Sequence, residues 1–120
     1  MNPQITLALA CRIAFWMGTS AVFAVSVLPQ SQLPSVDIWD KLQHSLSYGV
    51  LGVLGGLAYL AGWPRVFLGL AAMGGLLEII QGYIPGRSMS WEDEVANVLG
   101  ALVGVVIARV AARWLPVQAG

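Results

Sequence analysis

Long apolar runs, broken by short polar ones, organise this chain. The first run is ITLALACRIAFWMGTSAVFAVSVL, residues 5–28. As a helix rising ~1.5 Å per residue it would reach about 36 Å, enough to cross a hydrocarbon core about 30 Å thick. Pro29 stops it, and LPQSQLPSVD reads as a loop. A second helix starts near Asp37 and continues through WDKLQHSLSYGVLGVLGGLAYLAG, its last two-thirds apolar. Trp63-Pro64 makes a short connection, and Pro64 suits the first turn of a third helix over residues 65–84. Pro85-Gly86 closes that helix. Ser90 then stands as an N-cap, with Asp93 three residues on in the manner of a capping box. The fourth helix runs from about Trp91 to Leu115. The pattern predicts an all-α fold: an integral membrane bundle of four transmembrane helices, forming one domain over residues 1–120.

The first run has a second reading, a cleaved signal peptide with Ala24 and Ser26 at the cleavage site. Against it, the first residues carry no basic side chain and the run is long for such a segment.

Composition supports a membrane protein. The chain is 58% hydrophobic and 10% charged, whereas soluble domains average about 25% charged residues. Such a chain cannot cover a surface facing water. Its net charge is zero, so no basic tail points to nucleic acid. The single Cys11 cannot form an internal disulfide. Trp39, Trp63, Trp91 and Trp114 fall at helix ends, where an interfacial aromatic belt belongs, and Trp16 does not.

Basic residues set the expected orientation. Arg12, Arg65, Arg109 and Arg113 share the side of the two termini, and Lys41 and Arg87 take the other. That bias places both termini in the cytoplasm, with the protein in the inner membrane. Near the helix ends such side chains can snorkel to the interface. The polar stretch IPGRSMSWEDEVANVLG, residues 84–100, then faces outward.

Small residues are dense in the last three helices. Gly52, Gly55 and Gly56 lie in the second, Gly74 and Gly75 in the third, and Gly100 and Gly104 form a GxxxG pair in the fourth. They allow close backbone approach, and tight packing explains them better than a substrate passage.

Each of these helices also carries a polar stripe near its outward end. Asp40, His44 and Tyr48 recur at i, i+4 and i+8, with Lys41 on the same broad face. Glu78 and Gln81 are three apart. Asp93, Asn97, Gly100 and Gly104 follow i, i+4, i+7 and i+11. Counting ~1.5 Å per residue from the helix ends puts His44, Glu78 and Asn97 at similar depth. A carboxylate facing lipid would cost up to about 3 kcal/mol at the bilayer centre, so the three are expected to meet one another. Glu92 and Glu94 are expected to face solvent or head groups. His44, the sole histidine, reads as a satisfied polar residue, so neither a metal nor another cofactor is expected.

Two stretches, DKLQHSLSYGVLG at 40–52 and EIIQGYIPGRSMSWEDEVANVLGALVG at 78–104, resemble the VanZ-like membrane proteins. The shared pattern is Asp40-Lys41, His44 and Tyr48, then Glu78 and Gln81, then Pro85-Gly86-Arg87-Ser88, then Asp93, Asn97 and Gly100. Many members carry an aspartate before the glutamate, where this chain has Leu77. The resemblance implies an all-helical cell-envelope protein, related to accessory proteins of glycopeptide and teicoplanin resistance. It implies that the polar positions act together, and it assigns no reaction.

These readings lead to two expectations. In one, an outward-facing pocket binds an anionic envelope component, a lipid or glycolipid phosphate. Its ligand-binding residues would be Asp40, Lys41, His44, Tyr48, Glu78, Gln81, Arg87, Asp93 and Asn97. Arg87 would fork onto phosphate oxygens and Lys41 would add a point charge. In the other, the chain is a structural or assembly subunit, paired with a membrane-protein partner or with copies of itself. Chemistry would use Glu78 or His44 as general base. Ser88 and Ser90 read as loop and capping residues, and no nucleophile with a dedicated base is visible, so binding is favoured over catalysis.

Overall fold

A computed structural model describes residues 2–29 and 39–117, with backbone alone at 39–41. Among the described residues the chain is all-helical: α1 (Pro3–Ser26), α2 (Trp39–Ala58), α3 (Trp63–Gln81) and α4 (Trp91–Ala111). The helices run up and down in an elongated bundle 47 Å long.

Local chemistry explains the boundaries. Asn2 caps α1 by accepting from the Gln4 N–H at 2.9 Å, and Pro3 follows in the first turn. Pro64 sits in the first turn of α3, where its missing N–H leaves no orphan. Ser90 is extended, and its hydroxyl accepts from the Asp93 N–H at 3.3 Å, capping α4.

Two helices end earlier than expected. α3 stops at Gln81 rather than 84 because Pro85 pushes Ile84 out of helical geometry. The chain tightens there through Tyr83 N–H to Ile80 O and Ile84 N–H to Gln81 O. It then turns at Gly86, whose φ of 77° lies where only glycine is unstrained. α4 stops at Ala111, and residues 113 and 114 make the same tightened bonds ahead of Pro116.

α1, α3 and α4 are long and apolar enough to cross a membrane, and α2 falls short of that criterion. Its first turns carry Asp40, Lys41, Gln43 and His44. α2 is nevertheless the helix that the other three pack around, its main contact being α4. A helix walled by neighbours does not need an apolar face all round. The outer surface of the bundle is greasy on every helix: Ile13, Leu46, Leu68, Leu76 and Val103 are each more than half exposed. Such a surface suits lipid, and the protein is a multi-pass membrane protein.

The α2–α4 joint is built on small residues. Gly52 lies so close to α4 that a Cβ there would stand 2.6 Å from Ala101 O and 3.1 Å from Gly104 Cα. A Cβ on Gly100 would strike the Ser45 carbonyl, and one on Gly104 the Gly49 carbonyl. The expected GxxxG pair is therefore the groove that receives α2. Around it Phe15, Tyr48, Leu51, Val66, Leu70, Ala101 and Val105 form one apolar core drawn from all four helices.

At the end holding residues 58–63, arginines cap α2 rather than reach out alone. Arg12 Nε donates to Ala58 O at 3.2 Å, its guanidinium 4.8 Å above the Tyr59 ring. Arg109 Nη1 donates to Leu60 O at 3.2 Å, 5.3 Å from the Trp63 ring centre. Carbonyls at a helix C-terminus have no partner within the helix, and lipid offers none. Trp16 belongs to the same arrangement, its indole N–H donating to the Tyr59 hydroxyl at 3.0 Å.

Candidate functional site

The polar stripes meet at the opposite end, where α2 and α4 begin and α3 closes. His44 Nδ1 lies 3.1 Å from Asn97 Oδ1, joining α2 to α4. One ligating atom each from His44, Glu78 and Asp93 falls within 4.8 Å of the other two, so α2, α3 and α4 all contribute. Glu78 is 4% exposed, Asp93 9% and Asn97 2%, and His44 is half-buried. The depth estimate from helical rise thus brings together the residues it named.

Each helix presents its polar residues for a local reason. Asp93, Asn97, Gly100, Gly104 and Ala108 are all buried, and they form one continuous stripe along α4. Glu78 and Gln81, one turn apart on α3, share its buried face with Leu77. Glu78 also reaches past its own helix, accepting from the Ser90 N–H at 3.0 Å. Ser90 thus caps α4 with its side chain and is itself held by a carboxylate from α3. Tyr48 lies one turn deeper than His44, 2% exposed within the apolar core beneath the cluster. The side chains of Asp40 and Lys41 lie outside the described residues.

Gln81 and Arg87 turn toward α1. Gln81 Nε2 donates to Ser26 O at 3.0 Å. Arg87 Nε donates to Leu28 O at 2.7 Å, and Nη2 to Val25 O at 3.2 Å. The side of the guanidinium that would fork onto a phosphate therefore caps the C-terminus of α1. Elsewhere α1 and α3 touch sparingly and part around a groove of about 890 Å³, lined by Phe15, Thr19, Val66, Gly69 and Met73 among others. The joint between their ends rests largely on these polar bonds.

Glu94 is a member of this region that sequence reasoning placed in solvent. It is half-buried and lies against α3 in the notch left by Gly74 and Gly75. Its Oε1 is buried without a hydrogen-bond partner, and the Asn97 amide nitrogen flanks the same notch. The signal was present: Glu94 stands one turn before Asn97, and the paired glycines on α3 are the space it fills. Glu92 is exposed, as expected.

A greasy four-helix bundle with a buried polar cluster at one end defines an integral membrane protein with a constructed polar site. The VanZ/LLP1 family model matches residues 6–112, and the chain belongs to that family. Comparisons with curated proteins and with solved structures gave no match. Family membership is consistent with an envelope protein of the kind associated with glycopeptide resistance.

Proposed function

We propose that this is an inner-membrane protein with both termini in the cytoplasm, and that its polar end faces outward to bind an anionic envelope component. The ligand group is the phosphate of a lipid or glycolipid. The observation behind this reading is the convergence of His44, Glu78, Asp93 and Asn97 from three helices at one end of the bundle. Buried ionisable groups in a membrane are expensive, and packing alone does not require them. Lys41, three residues before His44 in the sequence, is the cation this reading assigns to the phosphate, since Arg87 is bound to the end of α1. The N-terminus of α4 adds its partial positive charge.

Orientation and binding have separate tests. Ser88 is exposed in the turn before α4. A Ser88→Cys variant on a Cys11→Ser background is expected to react with an impermeant maleimide added outside intact cells. Reaction only after the cytoplasmic face is opened would invert the topology. For binding, the full chain in nanodiscs is offered a polyprenyl phosphate or the matching polyprenol, and retained lipid is read by native mass spectrometry. At least a tenfold preference for the phosphate is expected, which corresponds to about 1.4 kcal/mol. Equal retention of the two would remove the phosphate from the proposal.

A second reading, an assembly subunit without a ligand, draws support from the internal partners of Gln81, Arg87 and Glu78. In that reading the polar groups fix helix packing only. Its mark is a membrane protein, or a second copy of this chain, retained in fixed ratio with no selectivity among lipids.

A further inference from the structure

We propose that His44, Glu78 and Asp93 bind a divalent transition-metal ion, zinc being the best fit. This departs from the reading of His44 as a satisfied polar residue. The sequence shows a lone histidine, whereas the fold sets it against two buried carboxylates.

The ligand set comes first. One imidazole and two carboxylates, from three different helices, place ligating atoms within 4.8 Å of one another. Ligands of a tetrahedral zinc ion, at ~2.0–2.2 Å from the metal, stand roughly 3.4 Å apart. A small inward shift of side chains would therefore close the site. An imidazole with two carboxylates suits zinc or a neighbouring first-row ion and is a poorer fit to calcium or magnesium, which prefer oxygen throughout.

The second, independent observation is how His44 is held. Asn97 Oδ1 faces His44 Nδ1 at 3.1 Å. The amide nitrogen of Asn97 lies on the other side, beside the Glu94 carboxylate at the Gly74 notch. A carboxylate there favours the NH2 end of the amide, so Oδ1 is left to accept from His44. In the tautomer that suits this contact Nδ1 donates, and Nε2 is the ring nitrogen that would bind a metal. Histidines that bind metals are fixed in this way, with the second ring nitrogen donating to a carbonyl or carboxylate. Glu94, Asn97 and His44 thus form a chain that orients one ligand. Glu94 also adds a third acidic group to a region where a cation lowers the electrostatic cost of burial.

The site also bears on the proposed function without depending on it. A divalent ion held by three protein groups keeps a coordination position open, and a phosphate oxygen could occupy it. That would let an acidic cluster receive an anion.

The test uses the full chain in detergent on a Cys11→Ser background, so that no thiol competes. After treatment with chelator and dialysis against zinc, one equivalent per chain is expected by elemental analysis. Glu78→Gln and Asp93→Asn are expected to lose it. Glu78→Gln keeps a carbonyl oxygen for the Ser90 N–H, and retained thermal stability without zinc would show that it folds. Asn97→Ala is expected to keep all three ligands yet bind about 10–100-fold more weakly. Cobalt substituted for zinc should give a ligand-field spectrum that changes in His44→Gln, and Glu92→Gln should leave binding intact. No stoichiometric zinc in the parent chain, or zinc unaffected by Glu78→Gln and Asp93→Asn, would overturn the site. Zinc bound with no preference for polyprenyl phosphate would leave the site standing and defeat the phosphate reading alone.

Discussion

Gly104→Leu is expected to break the bundle more severely than any other single change considered. Gly104 faces the Gly49 carbonyl of α2 so closely that even a methyl would collide with it. The obstacle is backbone, which cannot rotate away as a side chain could. Overpacking a well-filled interior costs about 1–3 kcal/mol, occasionally more, and here the helix pair itself must separate. The loss should appear as a collapse in accumulation and in detergent melting temperature, with Gly104→Ala intermediate. Gly69 is the internal control, since a Cβ there would meet nothing within 4 Å. Gly69→Ala should stabilise by about 0.5–1 kcal/mol, because glycine is costly inside a helix. A Gly104→Leu protein as stable as the parent would mean that α2 and α4 do not pack as described.

Arg87→Lys is expected to be the second large effect, and it separates two roles for this side chain. The guanidinium caps the Leu28 carbonyl just past α1 at 2.7 Å and the Val25 carbonyl in its last turn at 3.2 Å. An ammonium is a point donor and cannot span both. Hydrogen bonds from a charged donor contribute about 1.5–3 kcal/mol each, so a loss of about 1–3 kcal/mol in thermal stability should follow. Gln81→Leu should lower stability in the same sense, because it removes the neighbouring bond to Ser26 O. If Arg87→Lys left stability unchanged but abolished retention of a phosphate lipid, the side chain would belong to the ligand and not to α1.

Much of this architecture is legible in the chain. Four helices and their order follow from the apolar runs, and the caps from Pro64 and Ser90 at the right offsets. The stripe of Asp93, Asn97, Gly100 and Gly104 identifies the buried face of α4, because burial of a helix repeats at its own period. The meeting of His44, Glu78 and Asn97 follows from depth and from the cost of placing such groups in lipid.

What the chain alone does not carry is the pairing between elements. Arg87 and Arg12 read as cations seeking an interface, because local spacing is silent about a carbonyl 59 or 46 residues away. Only the fold brings the ends of α1 and α2 to them, and unpaired helix-end carbonyls then take the donors. Glu94 reads as solvent-facing because charge is the dominant local signal, and the Gly74–Gly75 notch that receives it belongs to another helix. α2 looks the weakest span by composition and becomes the best enclosed, since hydropathy measures a helix against lipid and not against its neighbours. Periodicity and depth, set by the geometry of one helix, were therefore determined by sequence. Which donor meets which acceptor was decided by tertiary structure, because such bonds depend on rotations and approaches between helices that no single helix encodes.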